Sequence, residues 1–237
     1  MNESVEKLKS AYLQNERPIW ICAPRDPATA ANLTIFLDGE FYRDRVGALS
    51  VIQELQGVIA DSWFVFVSME SAEARWVECP CYRPFAQFIV EELLPWLEFR
   101  NVDTTAIRQR TLVGLSYTGL AAAFVAKEYS GVFQRVISQS GSFWWKDCWL
   151  VEQFRKQPRL PTEFYLDVGS QETEEGEVHR PDVVQEVSQI EGVRRFRDVL
   201  VLQGHSVKYL EYDGDHEFES WRKTLPGALK WALPSRR

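Results

Sequence analysis

Gly114-Leu115-Ser116-Tyr117-Thr118-Gly119 separates the short apolar run Thr111-Leu112-Val113 from an alanine-rich stretch between Leu120 and Tyr129. The run has the size of a strand and the stretch the composition of a helix, so the hexapeptide reads as a sharp strand-to-helix turn. A serine hydroxyl is a weak nucleophile unless it is lifted clear of the sheet and given a base. A turn of this kind does the lifting, and the small residues around it let strand and helix approach closely. It also aims the N–H groups of the helix start at any oxyanion that forms beside Ser116. The usual spacing is G-x-S-x-G; here Thr118 stands where the second glycine is usual, and Gly119 follows one residue later. The segment by itself also fits an ordinary serine in a glycine-bearing turn.

The same alternation extends in both directions. Residues 17–23 and 32–37 read as strands, the second ending at Asp38-Gly39, and Trp63-Phe64-Val65-Phe66-Val67 has the continuous apolar character of a strand buried on both faces. Residues 84–99 carry helical spacing, with Phe85, Phe88, Ile89, Leu93 and Trp96 on one side. Further strands are predicted at 133–138, 163–168 and 207–212, helices at 182–203 and 218–233, and an N-terminal helix within residues 1–15. Strands separated by helices predict an α/β fold with a mainly parallel central sheet and helices on both faces, and the strand-to-helix turn at Ser116 makes the α/β-hydrolase type the expectation. No repeat or Gly/Ser linker interrupts the chain, so residues 1–237 are expected to form a single domain. Ligands of such sheets sit beyond the C-terminal strand ends, where the polar residues of interest fall.

Composition narrows the partners. A net charge of −7 without any Lys/Arg-rich block argues against nucleic acid, since phosphate binding needs a clustered cationic face. No run approaches the roughly 20 apolar residues of a membrane span. The opening Met1-Asn2-Glu3-Ser4-Val5-Glu6-Lys7 lacks the basic start and apolar core of a signal peptide, so a cytoplasmic location is expected. The four cysteines include Cys79-Pro80-Cys81, whose C-x-C spacing without a nearby histidine is a poor zinc site; free thiols in a reducing compartment are expected. Nine tryptophans supply rings both for the core and for the walls of pockets that take flat ligands.

His216 is the candidate base. It follows a predicted strand through Asp213-Gly214-Asp215 and precedes a helix, a loop setting that lets an imidazole reach across the top of the sheet. His179, in an acidic loop, and His205, just ahead of a strand, lack that setting. A third group should orient the imidazole, and α/β hydrolases place it between serine and histidine in the chain. The strand Phe164-Tyr165-Leu166-Asp167-Val168 runs into Gly169-Ser170-Gln171-Glu172, which makes Glu172 the candidate, with Glu174 and Glu175 close behind and a Ser/His dyad as the alternative. The N–H groups of Tyr117 and of Glu40, the latter after Gly39, are the candidate oxyanion hole.

At these residues the chain resembles the catalytic domain of the enterochelin (ferric-enterobactin) esterases and the wider esterase family of α/β hydrolases. The matching segments are Phe36-Leu37-Asp38-Gly39-Glu40-Phe41, then Arg75-Trp76-Val77-Glu78 ahead of 85–96, and the elbow itself. Ser138-Gln139-Ser140-Gly141-Ser142-Phe143-Trp144-Trp145 and Asp213-Gly214-Asp215-His216 with Trp221-Arg222 complete them. The resemblance implies cleavage of small-molecule esters through an acyl-serine intermediate, with Ser116 and His216 on the family's catalytic positions and no metal or organic cofactor. Siderophore-like lactones are one implied substrate class. Small acyl or feruloyl-type esters, in the manner of a carboxylesterase or S-formylglutathione hydrolase, are the alternative. Thr118 keeps open a third possibility, a hydrolase fold that only binds. Arg75, Phe41, Tyr42 and Trp144 are candidate substrate contacts, with an Arg75–Glu78 ion pair as the competing expectation for the arginine. A monomer and a homodimer both fit the sequence.

Overall fold

The computed structural model describes residues 2–28, 30–100, 102 and 104–235. Its strands are β1 (Glu3–Lys9), β2 (Glu16–Cys22), β3 (Asn32–Leu37), β4 (Trp63–Val67), β5 (Gln109–Leu115), β6 (Arg135–Gln139), β7 (Glu163–Gly169), β8 (Glu177–Arg180), β9 (Val183–Gln185) and β10 (Val207–Tyr212). Eight of them form one sheet in the order β1-β2-β4-β3-β5-β6-β7-β10, while β8 and β9 make a separate antiparallel hairpin. From β4 to β10 every pairing is parallel; β1 and β2 join antiparallel at one edge. The fold is of the α/β-hydrolase type, with a mixed, mainly parallel sheet.

Strand β4 explains why the sheet is covered on both sides. Trp63, Val65 and Val67 enter one core, and Phe64 and Phe66 enter the other. The first core is closed by helices Ser116–Glu128, Trp145–Arg155 and Gln189–Leu202, and the second by Ala48–Glu54 and Phe218–Ala232. In the second core Phe36 stacks on Phe66 with ring centroids 4.7 Å apart. Residues 83–98 are helical throughout, with a π-helical turn at Phe88–Leu93 just ahead of Pro95, whose missing N–H a regular α-helix would not tolerate there.

Three expectations from the sequence are corrected. The N-terminal helix is instead β1, which pairs with β2 along all seven of its residues. Without β1, β2 would expose a row of unpaired backbone groups, and satisfying them outweighs local helix propensity. Helix 182–203 begins only at Gln189, because the β-branched pair Val183-Val184 after Pro181 forms strand β9. Strand β6 starts at Arg135 rather than at Phe133, which is buried ahead of it.

Candidate active site

Strand β5 passes directly into helix Ser116–Glu128, and Ser116 takes the turn at φ +52°, a left-handed conformation that a non-glycine residue holds only when its surroundings demand it. Gly114 makes the turn possible, since a Cβ there would lie 2.1 Å from the Thr118 carbonyl oxygen. The hydroxyl of Ser116 stands 3.0 Å from His216 Nε2. On the other side of the ring, His216 Nδ1 lies 2.6 Å from Glu172 Oε2. With Nδ1 facing a carboxylate, the proton belongs on Nδ1, and Nε2 is left as the acceptor for the serine O–H. The imidazole remains 37% exposed while the Glu172 side chain is 1% exposed, so the ring is open to a ligand and its partner is not.

Glu172 is held by more than the histidine. Its Oε1 accepts from Ser140 Oγ at 2.6 Å, from the Gly169 N–H at 2.7 Å and from the Tyr212 hydroxyl at 3.4 Å. Ser140, itself at φ +45°, accepts from Trp221 Nε1 at 3.0 Å. The Trp221 ring meets the His216 ring edge-on, with centroids 4.9 Å apart. Glu174 and Glu175, the neighbouring acids, are exposed. Burial and these donors single out Glu172 among the three.

Thr118 is fully buried and does not line the cavity beside Ser116. Its Oγ1 accepts the Leu115 N–H at 3.0 Å, and its proton lies between the Leu115 carbonyl at 2.8 Å and Asp38 Oδ2 at 2.9 Å. Asp38 closes β3 at φ +55° and is fully buried. Arg75 meets it with Nε 2.9 Å from Oδ1 and Nη2 2.8 Å from Oδ2. Burial works against the charge of Arg75, but the adjacent Asp38 outweighs it and holds the guanidinium firmly protonated. The predicted Arg75–Glu78 pair does not form; Glu78 pairs with the buried Arg17 at 2.9 Å. Asp38, Thr118 and Arg75 thus fasten the end of β3, and with it Gly39-Glu40, to the elbow helix. Gly39 sits so close to β4 that a Cβ would lie 2.7 Å from the Phe66 carbonyl carbon.

A cavity of about 410 Å³ opens beside Ser116 and His216. Trp76, Tyr117 and Trp144 form its aromatic wall: Trp76 and Tyr117 meet edge-on at 4.9 Å and Tyr117 and Trp144 at 5.7 Å. His179 of the β8–β9 hairpin stacks on Trp144 at 5.2 Å. Of the predicted substrate contacts, Arg75 and Trp144 line this cavity, and Phe41 and Tyr42 do not. Tyr42 is fully buried in the second core and donates its hydroxyl to Gln139 Oε1 at 3.0 Å. Its N–H bonds to the Asp38 carbonyl at 3.0 Å, and that helical turn directs the ring inward. Phe41 packs edge-on against Phe218 at 5.3 Å. Glu40 is absent from the wall as well; its carboxylate accepts the Met69 N–H at 3.1 Å, and burial pushes this carboxyl above its usual range.

Sequence reasoning passed over Ser140, Ser142 and His179. Ser140 and Ser142 lie just beyond the end of β6, where Ser140 turns at φ +45°, so strand alternation does not tell which way either side chain points. Ser142 Oγ lies 3.4 Å from Ser116 Oγ. His179 carried no local signal, because its role depends on a hairpin folding back over the site. Among the described residues no group of three or more His, Cys, Asp or Glu is placed to hold a metal, and no helix is long and apolar enough to cross a membrane.

A family model described as putative esterase matches residues 10–232. The iron(III) enterobactin esterase of Dickeya dadantii (strain 3937) is 30% identical over 237 residues, covering 95% of this chain and 53% of that protein. The enterobactin esterase FES from Shigella flexneri, crystallised in the presence of enterobactin, superposes with a TM-score of 0.84 at 23% identity, over 97% of this chain and 58% of that one. A ferulic acid esterase superposes with a TM-score of 0.76 at 15% identity over 98% of both chains. The chain spans about half the length of the enterobactin esterases it matches.

Proposed function

We propose that this chain, which belongs to the putative esterase family, hydrolyses carboxylic esters of small molecules through an acyl-serine intermediate. The observation that carries the reading is the unbroken hydrogen-bonded line from Ser116 Oγ through His216 to the buried Glu172, set on the wall of the cavity. In this reading His216 Nε2 takes the Ser116 proton as Oγ attacks the ester carbonyl, and returns it to the departing alcohol. Glu172 keeps the ring in the tautomer that accepts at Nε2 and stabilises the imidazolium formed in between. Water then attacks the acyl-enzyme with His216 again as base. No metal or organic cofactor enters the cycle.

The developing oxyanion needs donors. The Tyr117 N–H lies in the first turn of its helix, where amides have no carbonyl four residues back to bond, and it is the donor next to the nucleophile. The Glu40 N–H is the second, carried on the loop that Asp38 fixes to Thr118. One such donor contributes on the order of 10²–10³ in kcat.

Two substrate classes follow. The relatives named enterobactin esterases support a siderophore-like lactone. The aromatic wall of Trp76, Tyr117 and Trp144 supports a compact aromatic carboxylic ester, such as a feruloyl-type ester, as the second. The four free cysteines, three of them buried, support a reducing, cytoplasmic setting. The test is labelling by a fluorophosphonate probe together with hydrolysis of p-nitrophenyl acetate and butyrate and of iron-free and ferric enterobactin, by wild type and Ser116→Ala. Labelling and turnover that vanish in the variant are expected. Folded wild-type protein that neither labels nor cleaves any of these, or a variant that still does, overturns the reading.

A further inference from the structure

The charges around the cavity are unbalanced. Its wall carries one arginine, Arg75, and Asp38 already engages that guanidinium through two oxygens from a fully buried position. Against it stand Glu172, committed to His216, and three further carboxylates, Glu174, Glu177 and Asp215. All three are exposed at the mouth, and among the described residues no lysine or arginine forms an ion pair with them. Glu177 lies 3.8 Å from the His179 ring, and Asp215 accepts the backbone N–H of His216 at 2.7 Å. The further cation on the hairpin, Arg180, donates from Nη1 to Glu73 at 2.7 Å and lies over the Trp76 ring. A ligand entering the cavity therefore meets aromatic faces and uncompensated negative charge.

On this arrangement, and resting on the ester-hydrolase reading above, we propose that the cavity selects esters whose aromatic group is uncharged or cationic and discriminates against anionic ones. Ring faces attract cations through their quadrupole and take neutral flat groups by burial, and carboxylates at the mouth add to the first and leave the second untouched. An anionic acyl group, and most of all an iron complex of catecholates with its multiple negative charge, is repelled by Glu174, Glu177 and Asp215 with no free cation to receive it. Between the two substrate classes, the charge distribution favours the compact aromatic ester over a ferric siderophore.

Three p-nitrophenyl benzoates that differ only at the para position, carrying a methyl, a sulfonate or a trimethylammonium group, test the proposal. Each kcat/KM is divided by the ester's own rate with hydroxide, which removes the electronic effect of the substituent. In parallel, the three matching benzamides, which cannot turn over readily, are titrated against tryptophan fluorescence. The cationic and neutral compounds are expected to exceed the anionic one by about tenfold or more at low salt in both measurements. The gap narrows severalfold near 1 M salt, where screening reaches within about 3 Å, and in the double variant Glu174→Gln/Glu177→Gln. Equal preference for all three, no binding of any, or a gap indifferent to both salt and the double variant overturns the proposal. The charge order in binding with no ester cleaved at all sinks the hydrolase reading and leaves the selectivity standing; ester cleavage without the charge order does the reverse.

Discussion

Thr118 Oγ1 lies 2.9 Å from Asp38 Oδ2, so the residue that departs from the usual nucleophile-turn pattern is the one that ties the elbow helix to the end of β3. A glycine in its place would leave the buried Asp38 with Arg75 alone and the Leu115 N–H without its acceptor. The departure is thus a structural tie on the far side of the turn, and the hydroxyl takes no space from a substrate.

Thr118→Val, which keeps the shape and removes the hydroxyl, is expected to lower the unfolding free energy by about 1–3 kcal/mol, the usual penalty for stranding a buried polar group. Thr118→Ser should retain most of the stability. Urea unfolding of the three proteins checks this, and a valine variant as stable as wild type refutes the tie.

Ser116→Ala and His216→Ala should each reduce kcat by several orders of magnitude, and the double variant should be little worse than either. Groups that act as one unit lose their function together. Additive losses in a side-by-side assay would separate the two residues mechanistically.

Glu172→Gln keeps the volume and exchanges an acceptor for a donor opposite His216 Nδ1, which favours the wrong tautomer. A kcat loss of roughly 10²-fold or more is expected, by analogy with the about 10⁴-fold cost of the corresponding change in serine proteases. A loss under about tenfold means that Ser116 and His216 work as a dyad.

Asp167 lies on β7 beneath the site, fully buried, and burial pushes its carboxyl up to about 7, with Thr224 and Gln139 opposing and Glu172 reinforcing the shift. In the unfolded chain an aspartate titrates near 3.9. Between roughly pH 4 and 7 the native protein therefore holds a proton that the unfolded chain has released, and stability falls as pH rises through that window. Asp167→Asn has no such proton. Its stability relative to wild type should rise from pH 4.5 to pH 8 in thermal unfolding, and parallel curves for the two proteins would rule out the buried acid.

Most of the sheet was legible because its strands announce themselves: a run such as Trp63–Val67 with no polar residue has few places to go except between two helical layers. The placement of Ser116 and His216 just beyond strand ends was legible from their turns, since which residue ends a strand is a local matter. Glu172 could be narrowed only to a region. Which of three nearby acids points inward depends on Ser140, Gly169 and Tyr212, and these are brought together only by the folded sheet. Long-range partners were out of reach for the same reason: Arg75 prefers Asp38, 37 residues away, to Glu78 three residues along. Tyr42 misled because an aromatic residue near a predicted oxyanion loop fits a pocket and a core equally well until the turn at Asp38 is known.

The line between the two halves of the cavity has a consequence for change over time. Ser116, Glu172 and His216 stand at the ends of β5, β7 and β10, in the central sheet, whereas Glu177, His179 and Gln185 come from a hairpin that belongs to no sheet but its own. The exposed ion pair of Arg180 with Glu73, the Arg180 guanidinium over the Trp76 ring, the ring contacts of His179 with Trp144 and Trp76, and Val183 packed on the first core moor that hairpin to its neighbours. A graft of residues 177–185 would therefore change the face of the cavity that Glu177 and His179 supply and leave in place the three groups proposed to break the ester, so that ligand choice and chemistry can drift at different rates.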